Sequence, residues 1–210
     1  MAKYEVVNDI RPSEIDSAYV SGPFDLAKEA LESEGYEVIG LKDNAKLRMQ
    51  FGPEADVSIM GNWVKGDVLY LQDKRILLSS DGKLILDNAK YATDCHRRGE
   101  EFYLTNEQVE SSLEDSIDLR GGPIPTNRFA EDYRTVQIFG EVAGDYGNWL
   151  GNLYIREISI RLGKTADRSF VKPVWFYSLD YRSSLVGDGG NLGFGDRMRG
   201  VKRAPRAHKK

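Results

Sequence analysis

The 210-residue sequence holds one cysteine, Cys95, and two histidines, His96 and His208. A single thiol excludes an intrachain disulfide, and so few imidazole and thiolate groups leave too little to build a structural zinc site. No metal and no cofactor is expected. Long apolar runs are also missing: even Leu84–Leu86 is flanked by Asp81, Lys83 and Asp87, far short of the roughly 18 to 20 residues that span a bilayer. Membrane insertion is therefore not expected. Met1–Glu5 carries no hydrophobic signal core with a small-residue cleavage site, so a cytoplasmic location is expected for the chain as encoded, unless another route exports it. There is no self-similar repeat and no low-complexity tract.

What is present is ordinary for a folded domain: 40% hydrophobic and 30% charged residues, with a mean hydropathy of −0.48. A single domain over residues 1–201 is expected, followed by a flexible basic tail over 202–210. The net charge of −4 conceals an asymmetry. Arg197, Arg199, Lys202, Arg203, Arg206, Lys209 and Lys210 stand together without an acid, and the body before them carries the acidic excess. A basic tail can meet nucleic acid electrostatically, but a frayed, solvated terminus accounts for the same residues.

Helix signals occur at Ser21-Gly22-Pro23, ahead of Phe24, Leu26, Ala27, Ala30 and Leu31 with Gly35 as a stop; at Asp87 or Asn88, ahead of Ala89, Ala92 and Cys95; and at Thr105–Gln108, a capping-box pattern leading to Val109 and Leu113. Strands are expected at residues 36–41, 68–71, 75–78 and 84–86, the last three forming two successive hairpins about Asp73-Lys74 and Ser80-Asp81-Gly82. Gly121–Pro125 reads as a loop, 133–139 and 153–162 as strands around a short helical turn near 146–150, and 171–177 as a strand that Pro173 places at a start or an edge. Helices and strands do not alternate regularly, so the class is α+β and not a doubly wound parallel sheet.

Cys95-His96 invites a nucleophile-and-base reading, but neighbours on a helix point about 100° apart and do not pair. Glu100, Glu101, Asp115, Asp118 and Asp132 offer carboxylates, and their spacing singles out none of them. Gly187-Asp188-Gly189-Gly190 and Gly193-Phe194-Gly195 lack both the Walker lysine and the GxGxxG spacing of phosphate loops. Nor do Asp188, Asn191 and Asp196 follow a calcium-loop spacing.

The informative stretch is WFYSLDYRSSLVGDGGNLGFGDRMRGV, residues 175–201. Its tyrosine, serine, glycine and asparagine content is that of an antibody paratope, where rigid amphipathic side chains are mixed with adaptable hydrogen-bonding ones. Randomising the adenines of AAC or AAT codons yields Asn, Asp, Ser, Gly, Tyr, Phe and several others, but never Trp, Lys, Glu, Gln or Met. Tyr177, Ser178, Asp180, Tyr181, Ser183, Gly187, Asp188, Gly189, Gly190, Asn191, Gly193, Phe194, Gly195 and Asp196 all lie within the reachable set, and Met198, in the closing stretch, does not.

This arrangement resembles the C-terminal variable region of diversity-generating retroelement variable proteins, in particular an archaeal group whose last segment runs W-F-x-x-L-x-x-R-S-x-L and closes on R-x-R-G-V. The matching residues are Trp175–Leu185 and Arg197–Val201; residues 1–170 carry no matched motif. The resemblance implies a C-type-lectin-like α+β fold with two or three helices and short antiparallel sheets. It further implies that the fourteen residues above form a variable binding face, on a scaffold of Trp175, Arg182, Leu192, Arg197 and Arg199. The three arginines are expected to hydrogen-bond loop carbonyls and hold the glycine-rich backbone. The calcium-dependent sugar triplets Glu-Pro-Asn, Gln-Pro-Asp and Trp-Asn-Asp are absent, so that mode of carbohydrate recognition is not expected. An oxidase of the formylglycine-generating kind needs two active-site cysteines, and Cys95 stands alone.

The reading that follows is a non-enzymatic binder of an unknown macromolecule, a protein foremost, on another cell or virus. The alternative is a small hydrolase using carboxylates around Cys95-His96. Nucleic-acid binding is not expected; it would require strong salt dependence and loss of binding on removal of residues 202–210.

Overall fold

A computed structural model of the chain describes residues 4–9, 16–179, 184–187, 192 and 196–202. Its organising element is the strand Asn62–Tyr70, buried along nearly its whole length, as expected of a strand covered on both faces. On one side it pairs antiparallel with Phe170–Phe176, and at its far end with Ile76–Ser79. Through Met198 opposite Trp63 it also touches the C-terminal strand Arg197–Lys202, which in turn pairs antiparallel with Asp16–Ser21. The sheet continues from Phe170–Phe176 through Ser184–Val186, Glu157–Arg161 and Gly122–Pro125. The pairing of Ser184–Val186 with Glu157–Arg161 is parallel.

Each face of this sheet carries one apolar cluster. The period-2 alternation of Phe170–Phe176 shows the division: Val174 and Phe176 join Ile39, Leu47, Phe139, Tyr146 and Leu185, whereas Val171 and Trp175 join Phe24, Leu31, Trp63, Leu192 and Met198. The helix Phe24–Ser33 covers the second cluster with Phe24, Ala27 and Leu31. It ends as the sequence indicated. Gly35, at φ +78°, donates its N–H to the Glu32 carbonyl, while the Tyr36 N–H reaches back to Leu31, the paired bonds of a glycine-terminated helix. The cap differs from expectation, because Ser21 closes a strand and Pro23 takes the N-cap position with no side-chain bond.

The Thr105–Gln108 capping box is formed in both directions, at 3.2 and 2.9 Å. The helix Ala89–Arg97, the first hairpin and the strands Glu157–Arg161 and Phe170–Phe176 also stand where expected. Pro173, however, is internal to its strand. The register shifts between Pro173 and Val174, opposite Lys65-Gly66, so the missing N–H falls at a bulge.

Several elements differ from the sequence reading. The described residues hold eight α-helices and one connected sheet of twelve strands, more than two or three helices on short sheets. Tyr133–Phe139 is a helix, begun by the Asp132 carboxylate accepting the Arg134 N–H at 2.9 Å. Its Thr135, Ile138 and Phe139 are buried at helical spacing. Residues 36–41 supply only a two-residue strand, Glu37–Val38, before the unforeseen helix Leu41–Phe51. Gly122–Pro125 is a strand and not a loop, and the turn near 146–150 is part of a helix, Ala143–Asn152.

Lys83–Asp87 is helical, so the second hairpin does not exist. Its cause lies elsewhere in the chain. Asp67, buried on the central strand, accepts the N–H groups of Leu84 and Ile85 at 2.8 and 3.1 Å. A carboxylate from a distant strand thus satisfies the first turn of a five-residue helix.

Burial pushes the Asp67 carboxyl up to about 7, against the two backbone bonds that favour its charge. An acid whose folded pKa lies above its unfolded value of 3.8 stabilises the fold most when protonated. Stability from this group is therefore present below about pH 4 and lost as pH rises to about 7, by on the order of 4 kcal/mol. Asp67→Asn is expected to flatten that slope in urea denaturation measured at pH 4.5, 6 and 7.5. An unchanged slope would mean that Asp67 does not titrate in this window.

Candidate functional site

The C-terminal segment leaves the sheet after Phe176 and rejoins it at Ser184–Val186 and at Arg197–Lys202, and its described residues outside those strands are held largely through main-chain atoms. The Tyr177 N–H donates to the Ser184 carbonyl at 2.9 Å, and the Leu179 N–H to Ser58 at 2.7 Å. Further along, the Leu192 carbonyl accepts the Phe24 N–H at 3.0 Å and the Asp196 carbonyl accepts the Gly22 N–H at 3.1 Å. The start of the Phe24–Ser33 helix thereby pins the far end of the segment. None of these bonds depends on a side chain of the segment itself.

Trp175 is half-buried, its indole edge-on to the buried Trp63 at 4.8 Å and to Tyr177 at 6.2 Å. Phe24 stands edge-on to Trp63 on the other side, at 5.7 Å. These rings form a row that runs from the core to the surface, ending at Tyr177, which is 40% exposed. Gly61 makes room for the row: a Cβ there would fall 2.2 Å from a Trp175 ring carbon. Leu192 is buried in the cluster that holds Trp63 and Phe24.

The arginines act differently from expectation. Among the described residues Arg197 and Arg199 bind carboxylates and not loop carbonyls. Arg199, with no exposed surface, pairs with Asp9, with Asp56 at 2.8 Å and more distantly with the Asn62 amide oxygen at 3.5 Å. Arg197 pairs with Asp56 as well, and lies over the Tyr19 ring. The carbonyls are gathered by Arg48, which sequence reasoning passed over. Its buried guanidinium donates to Tyr177 at 2.7 Å, to Val57 at 3.0 Å and, more weakly, to Phe176 at 3.5 Å and the Tyr146 hydroxyl at 3.4 Å. It also lies 3.9 Å above the Phe176 ring. Burial pushes its pKa down from the usual arginine value. No carboxylate bond to Arg48 is seen among the described residues; carbonyl and ring dipoles take that place. The only sequence signal was a charged residue four positions after Asn44 on what proves to be a core-facing helix.

The candidate binding residues divide three ways. Tyr177 is exposed, and Ser178 and Asp196 are half-buried. Asp196 loses enough solvent for its carboxyl pKa to rise. Gly187, by contrast, is buried: a Cβ would meet Val68 at 2.6 Å, its N–H binds Arg161 and its carbonyl accepts the Tyr70 hydroxyl. Its environment is that of framework and not of a binding face. Asp180, Tyr181, Ser183, Asp188, Gly189, Gly190, Asn191, Gly193, Phe194 and Gly195, together with Arg182 of the scaffold set and the tail from 203 onward, lie outside the described residues.

Around Cys95-His96 the structure holds little space. Cys95 faces the core, and the cavity it shares with His96, Glu100, Glu101 and Lys172 is about 20 Å³, room for little more than a water. Asp132 is spent on Arg134 and Glu100 on Arg98. A larger cleft of about 1000 Å³ runs along the Phe24–Ser33 helix between Tyr4, Asn8, Tyr36 and Lys202. None of the described candidate binding or scaffold residues lines it. No grouping of three or more His, Cys, Asp or Glu residues suited to a metal occurs among the described residues, and none of their helices is long and apolar enough to cross a membrane.

No family model matches the chain, and no curated protein matches it. Among solved structures it is similar to one described as "Accommodation of massive sequence variation in Nanoarchaeota by the C-type lectin fold". The two superpose with a TM-score of 0.63 over 92% of this chain and 99% of that one, at 15% identity. The chain therefore has the C-type lectin fold, in the α+β class expected.

Removing Arg199 would leave Asp9 and Asp56 without their buried cation. Arg199→Ala is expected to cost about 3 to 5 kcal/mol, and Tyr177→Ala no more than about 1 kcal/mol, in denaturant unfolding; equal losses would refute this division of labour. Arg48→Met should raise amide exchange at Leu179 and Tyr177 more than at Val201, because it frees the carbonyls that hold the segment down. Uniform exchange across the three would show that Arg48 only fills space.

Proposed function

We propose that this chain is a non-enzymatic recognition protein whose C-terminal surface is diversified by a retroelement, within a family of archaeal variable proteins, to bind varied macromolecular targets, chiefly proteins. The observation that carries this reading is how the segment is held. Its fixing bonds run through main-chain groups of Tyr177, Leu179, Leu192 and Asp196, and through Arg48 and Arg199 at its margins. A surface anchored in this way keeps its path when its side chains change, since exposed substitutions away from such anchors cost little. The similarity to a C-type-lectin-fold structure described as accommodating massive sequence variation supports the same view, as does the codon-compatible composition of residues 177–196.

The proposed target class follows from chemistry. Tyr177 beside Trp175 offers a rigid amphipathic contact of the kind that anchors protein interfaces. The acidic body disfavours phosphate backbones. A hydrolase centred on Cys95-His96 would need a substrate-sized cleft, on the order of 300 Å³ or more, where the cavity is about 20 Å³.

Sequencing the 3′ end of the gene across its source population, with its flanking DNA, tests the reading. Variation is expected at the codons for Tyr177, Ser178, Asp180, Tyr181, Ser183, Asp188 to Asn191 and Gly193 to Asp196, alongside a near-identical adenine-rich template. Gly187, Trp175, Leu192, Arg197 and Arg199 should stay constant. An invariant segment without a template would sink the proposal, and free variation at Gly187 would contradict its place in the framework.

A further inference from the structure

The cleft of about 1000 Å³ is lined by none of the described candidate binding residues and runs along the helix Phe24–Ser33. Tyr4 marks one end, its ring against Gly22, where a Cβ would fall 2.7 Å from a ring carbon. Lys202 marks the other, its Nζ 4.1 Å above the Tyr36 ring and its Cε 3.7 Å from the place of a Cβ on Gly35. Between them the lining is apolar and half-buried at Val6, Leu26 and Ala30, and acidic at Glu5, Glu29 and Glu34. The Tyr36 hydroxyl is already spent on Asn8 and Asp16, at 2.7 and 3.2 Å. The three carboxylates are exposed, and none of them forms an ion pair among the described residues. A space of this size is at the upper end of what ligand pockets enclose, and what it offers is negative charge beside apolar surface.

The residues that follow Lys202 have the complementary chemistry. Residues 203–210, outside the described ones, read Arg-Ala-Pro-Arg-Ala-His-Lys-Lys, with four cations and no acid, and they depart from a residue that itself lines the cleft. We propose that this segment occupies the cleft of its own chain, Arg203 and Arg206 meeting Glu34 and Glu29 and the lysines beyond them running towards Glu5. The lengths agree. Residues 203–210, when extended, reach about 26 Å, and the helix Phe24–Ser33 is about 15 Å long. Arg203 and Arg206 stand about 10 Å apart in an extended chain, and Glu29 and Glu34 about 8 Å apart along the helix axis. Pro205 holds Ala204 extended. The arginine stems can lie along Leu26 and Ala30 while their forks meet the carboxylates. A single exposed ion pair contributes little, but tethering at the rim lets several act together without the cost of joining two molecules. Cations engaged in this way are withdrawn from phosphate backbones, and the cleft is closed to outside ligands.

The test uses the full chain with a nitroxide attached through Ala207→Cys; Cys95 is buried and does not compete for the label. At about 0.05 M salt the amide signals of Leu26, Ala30 and Glu34 should be lost relative to the chemically reduced nitroxide, and raising the salt to about 0.5 M should restore them. Signals of Val136 and Gln137, on a helix whose buried side chains join the other apolar cluster, should persist throughout. Glu29→Gln plus Glu34→Gln should abolish the loss, whereas Glu107→Gln plus Glu110→Gln, on an exposed face of another helix, should not. Glu29→Lys plus Glu34→Lys should regain it once Arg203→Glu and Arg206→Glu are added; should that chain fail to fold, the glutamine pair decides. Signals kept at low salt, or lost equally with the cleft carboxylates neutralised, overturn the proposal. Loss seen only between labelled chains and unlabelled, isotope-enriched ones puts the segment in a second copy and overturns the intrachain contact. None of these outcomes bears on the recognition reading of residues 177–196.

Discussion

The buried pairing of Arg199 with Asp9 and Asp56 is the constraint around which the part of the molecule that holds the C-terminal segment is arranged. A guanidinium without exposed surface costs several kcal/mol to desolvate, and only well-placed anions offset that cost. Here the three charged groups come from distant parts of the chain: Asp9 follows the short strand Val7–Asn8, Asp56 opens a short helix, and Arg199 lies on the C-terminal strand. The pairing therefore exists only when all three have assembled. Its carbonyl in turn receives the Ile39 N–H, which fixes the entry into the Leu41–Phe51 helix.

That helix supplies the second buried guanidinium, Arg48, with a different electrostatic solution. Carbonyl oxygens of Val57, Phe176 and Tyr177 and the ring of Phe176 share its charge. Arg199 thus ties carboxylates of two framework segments to the last strand, and Arg48 ties backbone oxygens of the candidate surface to the core. The bonds they add to the described residues of the segment, like those from Ser58, Gly22 and Phe24, run to main-chain atoms. A surface can then change its chemistry without renegotiating its path, a separation of shape from specificity that suits a binder of many targets.

Much of this was legible locally. The Gly35 stop, the Thr105–Gln108 capping box and the β-prone run 171–177 are short-range signals, read by neighbouring residues, and each formed the element its pattern indicated, although Pro173 sits inside its strand and not at a start or edge. Where side chains answer to distant partners, local reading failed. Leu84–Leu86 is a strong strand sequence by composition, yet Asp67, seventeen residues earlier, satisfies two N–H groups and makes it helical. Tyr133–Phe139, rich in β-branched and aromatic residues, was turned into a helix by the Asp132 cap and the burial of one helical face. The Leu41–Phe51 helix hid because Asn44 and Arg48 face the core and break its apolar period.

The same distinction governs the candidate site. The sequence by itself determined the composition of the C-terminal segment and which residues a diversified codon can reach, because these are properties of residue identity. Only the tertiary structure decided that Gly187 is packed against Val68 and that Arg48 binds the carbonyls of Phe176 and Tyr177. The physical reason is that close packing and buried charge are settled between groups far apart in the chain, and no local pattern records which distant atom will complete them.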